Sequence, residues 1–265
     1  MYTRFQLAKK YLHYYLSAGN GKGHGIHSPF VFDFITNVLN DKKEYDCYKL
    51  IEQRRKALLN DSTIIEVEDF GAGSSIIKTN KRVIKDIAAS SLKPKKFSQL
   101  LFRIANHYQP KTMLELGTSF GITTAYLASG NTGAKIFTCE GAKNIAGIAQ
   151  QTFNTLKLQN INLQQGDFAV TLPQVLSQLQ IIELVFIDGN HRKEPTLQYF
   201  LQLLHYSTAS TILIFDDIHW SAEMEVTWAG IQQHPQVTLT IDLFFLGIVI
   251  LNNNIKVPQH FTIRF

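Results

Sequence analysis

Hydrophobic residues between positions 112 and 251 form short apolar runs, and the segments between the runs have helical spacing. Runs of this length predict buried β-strands, whereas apolar residues three and four positions apart predict amphipathic helices. The predicted strands lie near 112–116, 135–140, 161–165, 182–187, 211–215, 237–242 and 244–251. Strands that alternate with helices predict the α/β class, with a mostly parallel sheet covered by helices on both faces.

The first ninety residues have a different pattern, in which aromatic and aliphatic residues recur at helical spacing. The predicted helices lie at 5–16, 30–39, 44–59 and 81–91. A glycine-rich loop at 19–25 separates the first two helices, and Lys93-Pro94-Lys95 marks the entry into the helix before the first core strand. We therefore expect an N-terminal helical cap over residues 1–91 and a second domain over residues 92–265.

A glycine turn follows the first core strand and is the main indication of function. Gly117 and Gly121 come directly after the strand, and Glu140 ends the next strand nineteen residues after Gly121. This order is typical of a nucleotide site, in which glycine permits close approach of the ligand and the acid accepts hydrogen bonds from ribose hydroxyls.

Two nucleotides compete for this turn, a dinucleotide and S-adenosylmethionine. A pyrophosphate is usually held by G-x-G-x-x-G, whereas Thr118 and Ser119 occupy the positions after Gly117. Glu115 lies two residues before Gly117, where a carboxylate repels a pyrophosphate but attracts the ammonium group of an amino acid. These residues favour S-adenosylmethionine over NAD.

The same segment resembles a known family. Residues 114–128, LELGTSFGITTAYLA, are similar to the first motif of class I S-adenosylmethionine-dependent methyltransferases, particularly the small-molecule O-methyltransferases related to the catechol and caffeoyl-CoA enzymes. The resemblance covers about residues 92–251 and includes Lys96–Leu101, Glu140, Gly166–Phe168, Phe186–Gly189 and Phe215–Asp217 in the family's order. It implies a Rossmann-like, doubly wound, mostly parallel seven-stranded sheet with a reversed last strand.

The resemblance also implies which residues bind the cofactor. Asp167 and Phe168 match the position that holds the adenine ring in relatives, although a helix N-cap is the alternative role for Asp167. The expected cofactor contacts are Glu115, Gly117, Thr118, Ser119, Gly121, Glu140, Asp167, Phe168 and Asp188.

The catalytic chemistry implied by the family stays open between two mechanisms. The catechol and caffeoyl-CoA enzymes hold a divalent cation, commonly Mg²⁺, at positions that match Asp188, Asp216 and Asp217. Asp217 replaces an Asn of those enzymes, and His191 replaces their catalytic Lys. The alternative is metal-free deprotonation by His191 or His219, with Asp188 essential in either case. A further possibility is that both histidines are only hydrogen-bonded within loops and take no part in catalysis.

Composition agrees with an enzyme that has a large core. The chain has 265 residues, of which 45% are hydrophobic, and its two cysteines form neither a disulfide framework nor a zinc pattern. Residues 1–16 are basic and aromatic, but Lys9 and Lys10 interrupt any signal peptide or span, and 241–251 is too short to cross a bilayer. We expect a cytoplasmic protein without a membrane partner.

The charge distribution bears on the partners. Residues 1–111 carry a net charge of +9, and residues 112–265 carry −4. The basic residues are dispersed among apolar helical positions, which predicts a helical face that is solvated or attracts anions and disfavours a nucleic-acid substrate. We expect a small-molecule acceptor, and a homodimer stays open. The alternatives are an RNA methyltransferase that uses the basic cap, or a non-catalytic protein that binds S-adenosylmethionine.

Two further segments have interpretations of their own. Residues 64–74, with Gly71-Ala72-Gly73, imitate a cofactor loop but lack a following helix of small residues, so we interpret them as a turn in the cap or a lid. The cap around His24 to Phe32, together with Trp220, is expected to align the acceptor.

Overall fold

The computed structural model describes residues 1–19, 21–23, 27–67 and 80–265. The Gly71-Ala72-Gly73 segment and His24 lie outside the described residues. The chain divides into two compact units, one formed by Met1–Asp41 with Leu179–Phe265 and the other by Lys42–Gln178. Neither unit begins or ends at the domain boundary that we expected between residues 91 and 92. That boundary stays a prediction.

Helices and strands alternate along most of the described chain. The helices are α1 Arg4–Ser17, α2 Pro29–Asp33, which continues as a π-helix over Phe34–Leu39, α3 Asp46–Leu59, α4 Ile84–Ser91, α5 Lys95–Tyr108, α6 Ile122–Gly130, α7 Lys143–Thr155, α8 Phe168–Leu176, α9 Lys193–Leu204 and α10 Ala222–Gln232. The strands are β1 Ile64–Glu66, β2 Lys81–Val83, β3 Thr112–Leu116, β4 Lys135–Glu140, β5 Ile161–Gln165, β6 Ile182–Ile187, β7 Ser207–Asp216, β8 Leu239–Asp242, β9 Leu246–Ile250 and β10 Gln259–Thr262.

The Lys42–Gln178 unit contains three parallel strands. The central strand β4 pairs with β3 on one side and β5 on the other, so the carboxyl ends of all three lie at one edge. The inner residues of β3 and β4 are buried and mostly apolar, as the sequence predicts, whereas the residues of β5 are only half-buried or exposed. Helices α3, α5 and α6 share a core in which the ring of Tyr48 lies 5.0 Å from that of Phe102 and 5.5 Å from that of Tyr126.

One predicted helix of the cap begins later than expected. The prediction of a helix over 81–91 was wrong for its first three residues, because Lys81–Val83 pairs antiparallel with Ile64–Glu66. Helix α4 therefore starts at Ile84, and the cap is not wholly helical.

The other unit contributes five strands. Strands β6 and β7 are parallel, whereas β9 runs antiparallel to both β7 and β8. This confirms the reversed last strand that the resemblance implies. Strand β10 pairs parallel with β8 and was not predicted, so the described chain has eight strands from β3 to β10 where seven were expected. The α/β, mostly parallel class is confirmed.

Helix α1 packs on this unit by one face. Tyr14 and Ala18 contact Phe244, the Tyr14 hydroxyl donates to the carbonyl of Ile263, and the Gly19 amide donates to the carbonyl of Thr262 at 2.9 Å. Among the described residues, each helix is too short or too polar to cross a membrane.

Candidate functional site

The turn between β3 and α6 has the backbone shape that its glycines predict. Gly117, Ser119 and Gly121 have φ values of 101°, 48° and 78°, in the left-handed region that favours glycine. The amides of Gly117 and Thr118 donate to the carbonyl of Cys139 at 3.0 and 3.2 Å, which joins the turn to β4. The turn is therefore fixed against the neighbouring strand.

Gly121 also permits close packing behind the turn. A Cβ atom at this position would lie 2.5 Å from Cε1 of Phe153 and 3.4 Å from Cα of Ala149, both on α7. Only a residue without a side chain allows α6 to start so close to α7 with this φ.

Glu140 ends β4 beside the turn. Its Oε2 accepts a hydrogen bond from the Ser119 amide at 2.8 Å, and its Oε1 accepts one from the Ala142 amide at 3.1 Å. Burial raises the pKa of Glu140, and these backbone hydrogen bonds offset the rise only in part. The carboxylate is thus held in one orientation.

Glu115 is fully buried near the carboxyl end of β3. Its Oε2 accepts hydrogen bonds from the hydroxyls of Thr124 and Thr138, the latter at 2.6 Å, whereas its Oε1 has no hydrogen-bond partner among the described residues. Burial raises the pKa of Glu115 to about 7, against the lowering effect of the two threonines. A buried carboxylate oxygen without a partner suits a cationic ligand group.

The two threonines were not anticipated as partners of Glu115. Thr138 lies opposite Glu115 in the β3–β4 register, and Thr118 Oγ1 lies 2.6 Å from Thr138 Oγ1. The available sequence signal was the hydroxyl of Thr138 inside the mostly apolar strand β4, which indicates a polar partner in the core.

Asp167 and Phe168 lie just after β5, at the same edge as Gly117 and Glu140. Asp167 Oδ1 accepts from the Ala169 amide at 2.8 Å, so the N-cap role considered from the sequence is present. Asp167 is exposed and Phe168 is half-buried. The expected cofactor residues of the Lys42–Gln178 unit therefore lie within β3, in the β3–α6 turn, at the end of β4 or just after β5.

A group of titratable side chains lies in the other unit, at the carboxyl ends of β6 and β7. Asp188, His191 and Asp216 each offer one atom that could coordinate a metal, and these three atoms lie within 4.8 Å of one another. His191 Nε2 is 3.5 Å from Asp188 Oδ1. Asp216 is buried, and the other two are half-buried. The parallel register of β6 and β7, in which Ile187 faces Phe215, brings the strand ends together.

Asp217 does not belong to this group, although the expected metal ligands included it. Its backbone is left-handed, with φ 53°, and its amide donates to the carbonyl of Phe245 at 2.8 Å. The structure therefore brings His191 to Asp188 and Asp216 in its place.

His219 lies between two other carboxylates. Its Nε2 is 2.8 Å from Asp242 Oδ2, and its Nδ1 is 3.1 Å from Glu225 Oε1. Burial lowers the pKa of His219, but the hydrogen bonds and charges of the two carboxylates outweigh it, so that the pKa is raised. This arrangement favours the imidazolium, which has no lone pair to accept a proton. Asp242 and Glu225 were not anticipated, because both are distant from the recognised motifs.

Comparison with known proteins agrees with this geometry. Residues 114–218 match the family model of a methyltransferase domain, and no curated protein matches the chain. Among solved structures, the O-methyltransferase of Bacillus cereus in complex with SAH is similar at a TM-score of 0.57 and 18% identity, over 79% of this chain and 92% of that one.

Two further structures show the same likeness. An SAH-bound methyltransferase of Podospora anserina gives a TM-score of 0.60 at 12% identity, over 96% of this chain and 98% of its own. The O-methyltransferase TomG of Streptomyces achromogenes, involved in tomaymycin synthesis and solved with SAM, gives 0.56 at 15% identity, over 80% and 92%. At these identities the structures share a fold with this chain. The family match assigns a methyltransferase domain to residues 114–218, and the glycine turn and Glu140 lie within it.

Proposed function

We propose that the protein transfers the methyl group of S-adenosylmethionine to a hydroxyl of a small molecule. The observation that carries this proposal is the group formed by Asp188, His191 and Asp216, since binding of the cofactor alone does not require a second cluster of titratable side chains. Two of the similar structures are O-methyltransferases, which supports the same reaction type.

Residues of the Lys42–Gln178 unit bind three parts of the cofactor: the ribose, the ammonium group and the adenine. Glu140, oriented by the Ser119 and Ala142 amides, accepts hydrogen bonds from the ribose hydroxyls. The unpartnered Oε1 of Glu115 receives the ammonium of the methionyl group. Asp167 and Phe168 contact the adenine, the first by hydrogen bonding and the second through its ring.

The chemical step is a direct displacement. The acceptor oxygen forms a bond to the methyl carbon while the carbon–sulfur bond breaks, and the electron pair of the broken bond stays on the sulfur, which leaves S-adenosylhomocysteine. His191 takes the proton of the acceptor hydroxyl, and Asp188, 3.5 Å away, stabilises the imidazolium that results. Alignment of the two reactants supplies most of the rate enhancement, about 7 to 11 kcal/mol.

The same three residues also fit a divalent cation. Two carboxylates and an imidazole with ligand atoms within 4.8 Å of one another match the donor set of Mn²⁺ or a similar ion better than that of Mg²⁺, which prefers oxygen. When bound, such an ion acts as a Lewis acid that lowers the pKa of the acceptor hydroxyl. In that case Asp188, His191 and Asp216 hold the ion.

Formation of S-adenosylhomocysteine from a panel of small hydroxylated aromatic acceptors tests the proposal. Asp188→Asn should abolish turnover, and His191→Gln should lower kcat by about 10²-fold or more. The exposed Glu194→Gln on α9 is the matched control, and it should retain full activity. Full activity of Asp188→Asn would contradict the proposal.

The chelator response distinguishes the two proton-transfer mechanisms. Excess EDTA should leave turnover unchanged if His191 is the base, whereas loss that Mn²⁺ or Mg²⁺ restores would assign the three residues to a metal. Binding of S-adenosylmethionine without turnover of any acceptor would favour the non-catalytic alternative.

A further inference from the structure

Helix α1 has two apolar faces, and the described residues of its unit cover only one of them. The covered face packs against Phe244 and Phe245 through Leu7, Tyr11, Tyr14 and Ala18. The opposite face carries Phe5, Leu12 and Leu16, whose side chains are 80%, 58% and 72% exposed. We call these three residues the outer stripe.

The outer stripe is continuous along the helix. At 100° per residue, Phe5, Leu12 and Leu16 fall within about 40° of arc, and Tyr14 lies on the opposite side. The spacing of seven and four residues is that of a single apolar face. Isolated exposed apolar residues are common on proteins, but a stripe of three large ones on one helix marks an interaction surface.

The helix is anchored, so that the stripe cannot turn inward by a rotation of α1. Lys10 Nζ lies 3.0 Å from both carboxylate oxygens of Glu225, and the Tyr2 hydroxyl donates to Glu225 Oε2 at 2.7 Å. At the other end, the Tyr14 hydroxyl donates to the carbonyl of Ile263. Anchors at both ends hold the outer stripe towards solvent.

The charge on α1 indicates which surface the stripe contacts. Arg4 and Lys9 are exposed, and no Asp or Glu occurs from Arg4 to Ser17. Lys9 lies on the helix within about 40° of Phe5. The guanidinium of Arg264 lies 4.4 Å from the ring centroid of the partly exposed Tyr15. The result is an apolar stripe with exposed cations on the same helix and no anion among them.

We propose that α1 docks the protein on an anionic lipid surface. The outer stripe would enter the boundary between headgroups and acyl chains, and Arg4 and Lys9 would contact lipid phosphates. A helix of 14 residues is too short to span the bilayer but long enough to lie in its interface. The expectation of no membrane partner rested on the lack of a spanning segment, and interfacial binding does not need one.

Charge disfavours a second copy of the chain as the occupant. In a symmetric contact across the stripe, each cationic helix would face its own copy, and Lys9, near the middle of α1, would approach Lys9 of the other subunit. An anionic bilayer offers both the apolar layer and the complementary charge.

Flotation of the full-length protein with lipid vesicles tests this inference, and it requires no methyltransferase activity. Vesicles of phosphatidylcholine mixed with anionic phosphatidylglycerol should bind the protein, and pure phosphatidylcholine vesicles should bind it more weakly. The double variant Phe5→Ser with Leu16→Ser should bind at least about tenfold more weakly. The control, Leu201→Ser with Val257→Ser, removes two exposed apolar residues outside α1 and should bind normally.

A second variant keeps the test interpretable if the stripe variant folds poorly. Lys9→Glu leaves the apolar residues intact and should weaken binding to the anionic vesicles alone. Failure of the wild type to bind these vesicles, or equal binding by the stripe variant, would overturn the inference. A dimer in sedimentation that dissociates in the stripe variant, without vesicle binding, would assign the stripe to a second copy instead.

Discussion

At the scale of single residues, the glycine turn between β3 and α6 depends on side chains and backbone angles that tolerate little change. Glu140 is fixed by two backbone amides, and Gly121 combines a positive φ with contact to Phe153. We expect the first residue to act on ligand affinity and the second on the turn itself, so their substitutions should give different phenotypes.

Glu140→Gln should weaken the binding of S-adenosylmethionine about tenfold or more. The amide keeps the size of the side chain but replaces one acceptor oxygen with a donor and removes the charge, and hydrogen bonds to a charged group contribute about 1.5 to 3 kcal/mol. Isothermal titration calorimetry measures the change, with the exposed Glu44→Gln as control. Equal affinity of Glu140→Gln and the wild type would remove the ribose role.

Gly121→Ala should lower the free energy of unfolding by about 2 kcal/mol or more, because the new Cβ overlaps Phe153 and the backbone has φ 78°. Gly147→Ala is the control, since nothing lies within 4 Å of the added atom and the residue is inside α7. The control should be stabilised by up to about 1 kcal/mol. Urea denaturation compares both, and equal stability of the two variants would contradict the packing argument.

Local sequence was sufficient to predict that Gly117, Gly121 and Glu140 lie at one turn, because this turn and the two strands beside it span fewer than about thirty residues. It was not sufficient for the partners of His219. Asp242 lies 23 residues away and reaches the imidazole only because β8 pairs with β9, which in turn pairs with β7. Pairing between distant strands is a tertiary property that no local pattern reports.

At the scale of elements, α1 depends on one carboxylate. Glu225, near the start of α10, accepts from the Tyr2 hydroxyl and lies within hydrogen-bond distance of Lys10 and His219. The ion pair is partly exposed, with the Lys10 side chain 37% accessible, so its contribution to stability is modest. We expect its larger effect to be on the position of α1.

Glu225→Ala should therefore destabilise the protein by only about 1 kcal/mol while loosening α1 much more than the strands. Hydrogen exchange of the α1 amides should accelerate, and exchange in β7 should stay slow. Glu194→Ala, at an exposed position on α9, should change neither. Unchanged protection of α1 in Glu225→Ala would show that aromatic packing alone holds the helix.

The elements that the sequence predicted poorly share a physical reason. The polar start of β7, Ser207 to Ser210, carries no apolar run, and β10 has only four residues of alternating burial. Strand β2 looks like the start of a helix until it pairs with β1. The strands β3, β4 and β6 were predicted to within a residue, because burial on both faces favours a mostly apolar run.

At the scale of the whole molecule, ligand binding should raise the thermal stability of the protein selectively. A ligand at a hundred times its Kd stabilises the folded state by about 2.7 kcal/mol. S-adenosylmethionine and S-adenosylhomocysteine should each raise the Tm by several degrees, and NAD at the same concentration should not. A shift with NAD alone would return the glycine turn to a dinucleotide.

The buried, half-satisfied carboxyl of Glu115 should make cofactor binding release a proton. Between its ordinary pKa of 4.5 and its raised value of about 7, the carboxyl is protonated in the free folded protein and ionised in the unfolded chain, so stability conferred by this group falls as pH rises through that range. An arriving ammonium favours the carboxylate and expels the proton into the buffer. Calorimetry at pH 6 in two buffers of different ionisation heat should detect this release in the wild type but not in Glu115→Gln. Because binding releases a proton, the affinity of the wild type for S-adenosylmethionine should also rise with pH across this range.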